Sequence, residues 1–313
     1  MDIWPLYLFH DRAQTINAAI SVRAHCTIRS RADHRLTLVS DDTHERVEAA
    51  SPDELDFARL PLVARLVRHF GVTGVDIITR SESPVGAGIA GSSAMNVAIC
   101  SALAAWTNAP IHGEDLLSLA MNIEAQVLNV PAGVQDYRPA LYGGVSAVEL
   151  GVTGVKRVAL RVDSAALTAR LVVAYTGASR NSGINNWDVM KHRIDGDPAV
   201  SGAFDAIRDA SAGVRHGLES GDWTAVCRHL TAEWNARKRL APGVTTARIE
   251  DLLSRALAAG AGAGKVCGAG GGGCLFVLVD PDRKREVADA LSRGGADVLP
   301  VSVDPDGVRL SRS

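Results

Sequence analysis

Three features of this chain predict an α+β protein built as two domains. Its 313 residues suit two units of roughly 150 each. Its first half interleaves strand-like and helix-like segments, whereas its second half opens on a strand and then turns predominantly helical. Two glycine-rich runs, at 84–94 and 260–273, punctuate the pattern, one before a helix and one before a strand. The boundary is expected between residues 163 and 168, giving domains over 1–165 and 166–313.

Taken in order, residues 14–28 alternate through Ile16, Ala18, Ile20 and Val22 and read as one long or two short strands. Residues 35–39 are expected to be their hairpin partner. Leu60, Val63, Ala64, Val67 and Phe70 recur at helical spacing over 57–70. A β-branched strand at 74–79 leads into the first glycine loop. Helices are expected at 92–106 and 113–129, the second stopped by Pro131 and Gly133. Strands at 143–149 and 156–162 close the first half. The second half reads as a strand at 169–175, helices at 200–219, 223–239 and 246–259, the glycine run, a buried strand at 274–279, a helix at 283–293 and a last strand at 298–303.

The bulk numbers exclude several classes. A net charge of −2, well mixed along the chain, predicts neither a nucleic-acid nor a membrane partner. At 47% hydrophobic and 22% charged, the chain can bury a sizeable core. Five cysteines without C-x-x-C spacing read as reduced thiols in a cytoplasmic protein. The nine histidines include no pair at zinc-ligand spacing, and no signal peptide opens the chain.

Three segments carry the chemistry. In P-V-G-A-G-I-A-G-S-S-A at 84–94, Gly86, Gly88 and Gly91 free the backbone, and a helix starting at Ser92 points unpaired N–H groups at whatever approaches. The run satisfies a dinucleotide fingerprint, but the turn and helix after residue 107 stand where that motif needs a second strand. It also begins like a P-loop, with Ser92 and Ser93 in place of the Lys-Ser/Thr pair. A plain glycine turn capped by Ser92 is the bland alternative. In the second segment, Glu124 sits at helical spacing from Leu117, Ala120, Met121 and Leu128, so a carboxylate rides an apolar stripe. Asp136 follows twelve residues later on a loop. The pair suits a metal ligand and a general base, and a solvated glutamate is the alternative. The third segment, K-V-C-G-A-G-G-G-G-C-L at 265–275, puts four glycines directly before a buried strand. Close backbone approach explains them better than a hinge does.

These residues resemble the GHMP kinases. The 84–94 run is similar to that family's phosphate loop, with one extra small residue in Ala90-Gly91 before the serines. The segment at 131–136 is similar to the one ending in the catalytic aspartate of the galactokinase-like branch, and 265–274 to the C-terminal glycine loop. Asp2, the strand at 15–20, Y-T-G-A-S-R at 175–180 and K-x-x-G-A-G-G-G-G at 265–273 match the D-glycero-D-manno-heptose 7-phosphate kinase type within the family. The resemblance covers nearly the whole length.

It implies a two-domain GHMP fold, with an N-terminal domain like ribosomal protein S5 domain 2 and a ferredoxin-like C-terminal domain. It also implies ATP on Pro84, Gly86, Gly88, Gly91, Ser92 and Ser93, with Gly270, Gly271, Gly272 and Gly273 supporting that loop. Ser93 and Glu124 would hold Mg²⁺, and Asp136 would be catalytic. Asp2 would hold a sugar hydroxyl, and Ser179 and Arg180 a phosphate already on the substrate. The implied activity is a sugar or sugar-phosphate kinase, monomeric or homodimeric. A sugar or ATP sensor on the same fold, or an NAD-dependent oxidoreductase, is the alternative. The family's first strand, which precedes the aspartate matched by Asp2, has no counterpart before Met1, so Asp2 is expected to fray and the 14–28 edge to lie open.

Overall fold

The computed structural model describes residues 2–129, 133–179 and 182–312, with the backbone alone for 182–185. The chain runs β1 (Ala13–Ala18), β2 (Ala24–Ser30), β3 (Leu36–Ser40), β4 (Glu45–Ala49), α1 (Pro61–Phe70), β5 (Val75–Ser81), α2 (Gly91–Thr107), α3 (Gly113–Leu128), α4 (Tyr137–Tyr142), β6 (Val145–Gly151) and β7 (Gly154–Ala159). There follow α5 (Ser164–Arg170), β8 (Leu171–Tyr175), α6 (Ser182–Ile194), α7 (Pro198–Ser220), α8 (Trp223–Arg237), α9 (Ala247–Ala258), β9 (Ala261–Val266), β10 (Cys274–Val279), α10 (Lys284–Arg293) and β11 (Asp297–Leu299).

Residues 14–28 form two strands in two different sheets. β1 pairs antiparallel with β6 at the edge of the sheet β1-β6-β7, while β2 pairs antiparallel with β5 in the sheet β2-β5-β3-β4. The hairpin expected between 14–28 and 35–39 does not form. β5 lies between β2 and β3 and pairs parallel with β3, whose Leu36 and Leu38 are fully buried. β1 pairs on one side only, and α7 packs on a face of the β1–β6 pair. Arg215 of α7 donates to Gln14 Oε1 at 3.1 Å and to Glu149 Oε1 at 2.8 Å.

On the β2-β5-β3-β4 sheet, α1, α2 and α3 bury Val67, Val97, Leu103, Leu117 and Ala120 against Leu38 and Ile77. Each of these valine, leucine and isoleucine side chains contributes about 2 kcal/mol through lost apolar surface. α2 is apolar on most of its faces because it packs against both this sheet and α3. α3 ends within a residue of its expected stop. Asn129 takes a left-handed conformation and donates its N–H to Ala125 O, while Pro131 lies outside the described residues.

The second half holds the all-antiparallel sheet β11-β8-β10-β9, in a β-helix-β-β-helix-β order that gives the ferredoxin-like arrangement. Leu252 and Leu253 of α9 and Val287 and Leu291 of α10 pack on Leu275 and Val277 of its central strand. The strand expected at 298–303 is shorter: β11 pairs with β8 from Asp297 to Leu299, and Val303 makes an isolated bridge to Ile20. Beyond β11 the chain crosses back to the first half. Ser21 N donates to Ser302 O, Asp304 N to Ala19 O, Gly144 N to Asp304 O and Val308 N to Leu141 O.

Candidate active site

The loop between β5 and α2 has the shape of an anion cradle. Gly86 and Gly88 take left-handed backbone angles, φ 70° and 71°. Ala90, the residue before α2, is also left-handed at φ 63°, a conformation that costs a residue with a Cβ on the order of 1 kcal/mol. Gly91 plays a different part from the one expected. It is not left-handed but is the first residue of α2, where a Cβ would come 2.9 Å from Ser83 Oγ. Ser92 is exposed, and no side chain among the described residues caps α2. The first N–H groups of that helix therefore remain available to an anion. After α2 comes α3 where a dinucleotide fold needs a strand, which removes the oxidoreductase reading.

Behind the loop, one turn into α2, Ser93 Oγ donates to Glu124 Oε2 at 3.3 Å, and Tyr137 Oη donates to the same oxygen at 2.6 Å. All three residues are buried. Burial and the neighbouring carboxylate push the Tyr137 phenol far above its usual range, so it stays a donor. Both donors go to Oε2, which leaves Oε1 as the oxygen through which Glu124 would meet a cation. Among the described residues no group of three or more His, Cys, Asp or Glu is placed to hold a metal. A serine hydroxyl and one carboxylate fit Mg²⁺, which takes one or two carboxylates and completes its shell with phosphate oxygens and water.

Asp136 immediately precedes α4, and the segment before it is fastened from an unexpected side. Asp2 is buried, where a frayed end was expected. Its Oδ2 accepts from Gln135 N at 3.1 Å, its carbonyl accepts from Val134 N at 3.1 Å, and Ile3 bridges to Gly133. A Cβ on Gly133 would collide with the Asp2 carboxylate, so only glycine lets the two segments close. Gln135 Oε1 in turn accepts from Asn17 Nδ2 at 3.3 Å.

The four glycines before β10 divide their contacts. Gly271 N donates to Val244 O at 3.0 Å, and Gly272 lies against the carbonyls of Ala178 and Ser179. Gly273 is the one that reaches the phosphate loop. Its φ is 75°, a Cβ there would come 2.5 Å from Ala87 O, and the next residue, Cys274, donates its N–H to that same oxygen at 2.6 Å. Ser179 stands against Gly86, where a Cβ would strike its hydroxyl. Arg180 lies outside the described residues.

A cleft of about 770 Å³ joins these parts, a size suited to a small ligand. Gly88, Gln135 and Asp136 line it from the first half of the chain, and Glu233, Arg237 and Lys265 from the second. The loop and the aspartate are thus brought together. Ser93 and Glu124 sit behind the loop, Ser179 beside it, and Asp2 under the aspartate's segment. Tyr137, Gln135, Glu233 and Arg237 escaped the sequence reading. Tyr137 follows Asp136 directly, and Glu233 and Arg237 stand at i,i+4 spacing on α8, so both signals were present.

Two family patterns match this chain, GHMP kinases N terminal domain over residues 59–144 and GHMP kinases C terminal over 214–297. The D-glycero-alpha-D-manno-heptose 7-phosphate kinase of Campylobacter jejuni is 29% identical, over 98% of this chain and 93% of that one. The mevalonate kinase of Aeropyrum pernix is also 29% identical, over 78% of this chain and 72% of its own. Among solved structures, a D-glycero-D-manno-heptose 1-phosphate kinase from Bacteriodes thetaiotaomicron superposes with a TM-score of 0.78 at 25% identity, covering 99% of this chain and 94% of that one. L. major mevalonate kinase in complex with R-mevalonate shares the fold, with a TM-score of 0.75 at 18% identity over 95% and 91% of the two chains.

Proposed function

The chain belongs to the GHMP kinases and is a phosphotransferase acting on an alcohol group, and on that premise we propose that its acceptor is a sugar phosphate, with a heptose 7-phosphate favoured. The family makes ATP the phosphoryl donor. What supports the site assignment is one observation, that Asp136 and the left-handed Gly88 of the anion loop open into the same cleft. The heptose acceptor is favoured by the near full-length likeness to two heptose phosphate kinases.

In this reading the α2 N-terminus and the backbone of 86–90 hold the donor's phosphates, and Asp136 takes or orients the proton of the attacking hydroxyl. Ser93 and Glu124 would hold Mg²⁺, which supplies positive charge to the phosphate oxygens when bound. Asp2 acts through Gln135, keeping the Asp136 segment against the cleft. Phosphoryl transfer rests mostly on positioning and charge neutralisation, so few reactive side chains are needed. The domain division near residue 165 fits the same scheme, with the donor on the first domain and the second closing over the acceptor.

The test is ADP release with heptose 7-phosphate, fucose, glucuronate, mevalonate and homoserine as acceptors. Heptose 7-phosphate should give the highest kcat/KM, and a preference for mevalonate would refute the acceptor class. Asp136→Asn should lower turnover about 10²-fold or more while leaving ATP binding intact. Turnover within a factor of two of the parent would remove Asp136 from its role.

A further inference from the structure

Lys265 stands near the end of β9, and Glu233 and Arg237 stand one turn apart on α8, so a strand and a helix bring two cations onto one carboxylate. Lys265 Nζ donates to Glu233 Oε2, and Arg237 Nε donates to Oε1 at 2.6 Å. The side chains are 8% exposed for Glu233, 13% for Lys265 and 20% for Arg237, so the carboxylate is deepest and the guanidinium nearest the opening. All three line the cleft that Asp136 lines.

One cation is enough to balance a buried carboxylate, and a second in the same place carries a desolvation cost without a matching partner. Burial, together with the Arg237 charge, pulls the Lys265 ammonium down to about 8. Burial pushes Glu233 up, but Arg237 and Lys265 outweigh it and hold the carboxyl at about 2. The cluster therefore keeps its one negative charge shared between two positive ones. An anion arriving from the cleft supplies the missing counter-charge, and a phosphate suits the planar fork of an arginine. Ser179, by contrast, is packed against Gly86 of the donor loop and against Gly272.

Resting on the sugar-phosphate acceptor, we propose that Arg237 and Lys265 form the subsite for the phosphate the acceptor already carries, while Asp136 serves its free hydroxyl. Each of Arg237→Gln and Lys265→Met leaves Glu233 one cation, so the fold is retained. Both variants should raise KM for the phosphorylated sugar about 10-fold or more. KM for ATP, and kcat/KM for the same sugar without its phosphate, should stay within about 3-fold. An unchanged preference for the phosphorylated sugar in both variants overturns the subsite, and a rise in the ATP KM alone assigns the cations to the donor instead. A second measurement uses the unaltered protein. Inorganic phosphate should compete with the phosphorylated sugar and not with ATP, and the reverse pattern also overturns the subsite. If the unaltered protein shows no preference for a phosphorylated sugar, the acceptor reading itself fails before any variant is made.

Discussion

A carboxylate as buried as Glu124 persists in a folded chain only when donors or a cation meet it. Ser93 and Tyr137 supply two donors, and hydrogen bonds to a charged group contribute roughly 1.5–3 kcal/mol each. That arrangement separates two roles which a single substitution usually confounds. Glu124→Gln keeps the shape and an acceptor oxygen but removes the charge, so the Mg²⁺ concentration for half-maximal activity should rise about 10-fold or more. Tyr137→Phe should lower the melting temperature while leaving that titration in place. An unmoved Mg²⁺ titration in Glu124→Gln would make the carboxylate a structural acceptor only. In the sequence Glu124 stands out because its helical stripe is otherwise apolar. The tyrosine that completes the site does not, since a residue beginning a six-residue helix carries no periodic signal of its own.

At the scale of elements, legibility followed burial pattern. β10 is an unbroken apolar run, and its bounds were predictable to the residue. α2 was placed to within a residue because its apolar content and its glycine start agreed. β9 was hidden inside a glycine-rich run. Ala261, Ala263 and Val266 are its buried positions, while a Cβ on Gly262 would come 2.8 Å from Cys227 Sγ and one on Gly264 2.9 Å from Leu253 Cδ2. A strand whose neighbours leave no room for side chains reads as a loop. The β2–β5–β3 pairing was equally illegible, because which strand inserts between two others depends on the sheet and not on local pattern. The phosphate loop is the element whose chemistry was plainest. Gly88→Val should abolish ATP binding, measured by calorimetry, with little change in far-UV dichroism, since a β-branched residue resists φ 71° and fills the cradle. Retained ATP affinity would move the nucleotide elsewhere in the cleft.

For the whole molecule, the decisive junction is between the phosphate loop and the C-terminal sheet. Gly273 and Cys274 put the start of β10 directly on the Ala87 carbonyl. Gly273→Ala sets a methyl against backbone that cannot yield, in a left-handed conformation that already disfavours it, and should lower the melting temperature by ~2 °C or more. The stabilisation that ATP gives, read as a melting shift at saturating nucleotide, should shrink with it. A full ATP-induced shift in the variant would show that the loop closes without β10.

The return of residues 302–308 to the first half has a mechanical meaning. The peptide chain passes between the two halves twice, once through α5 and once through this strap, where Asp304 pairs with Arg23 and Arg309. These two crossings pin the halves to one another at α5 and at the strap, and the start of β10 on the Ala87 carbonyl adds a third tie, at the phosphate loop itself.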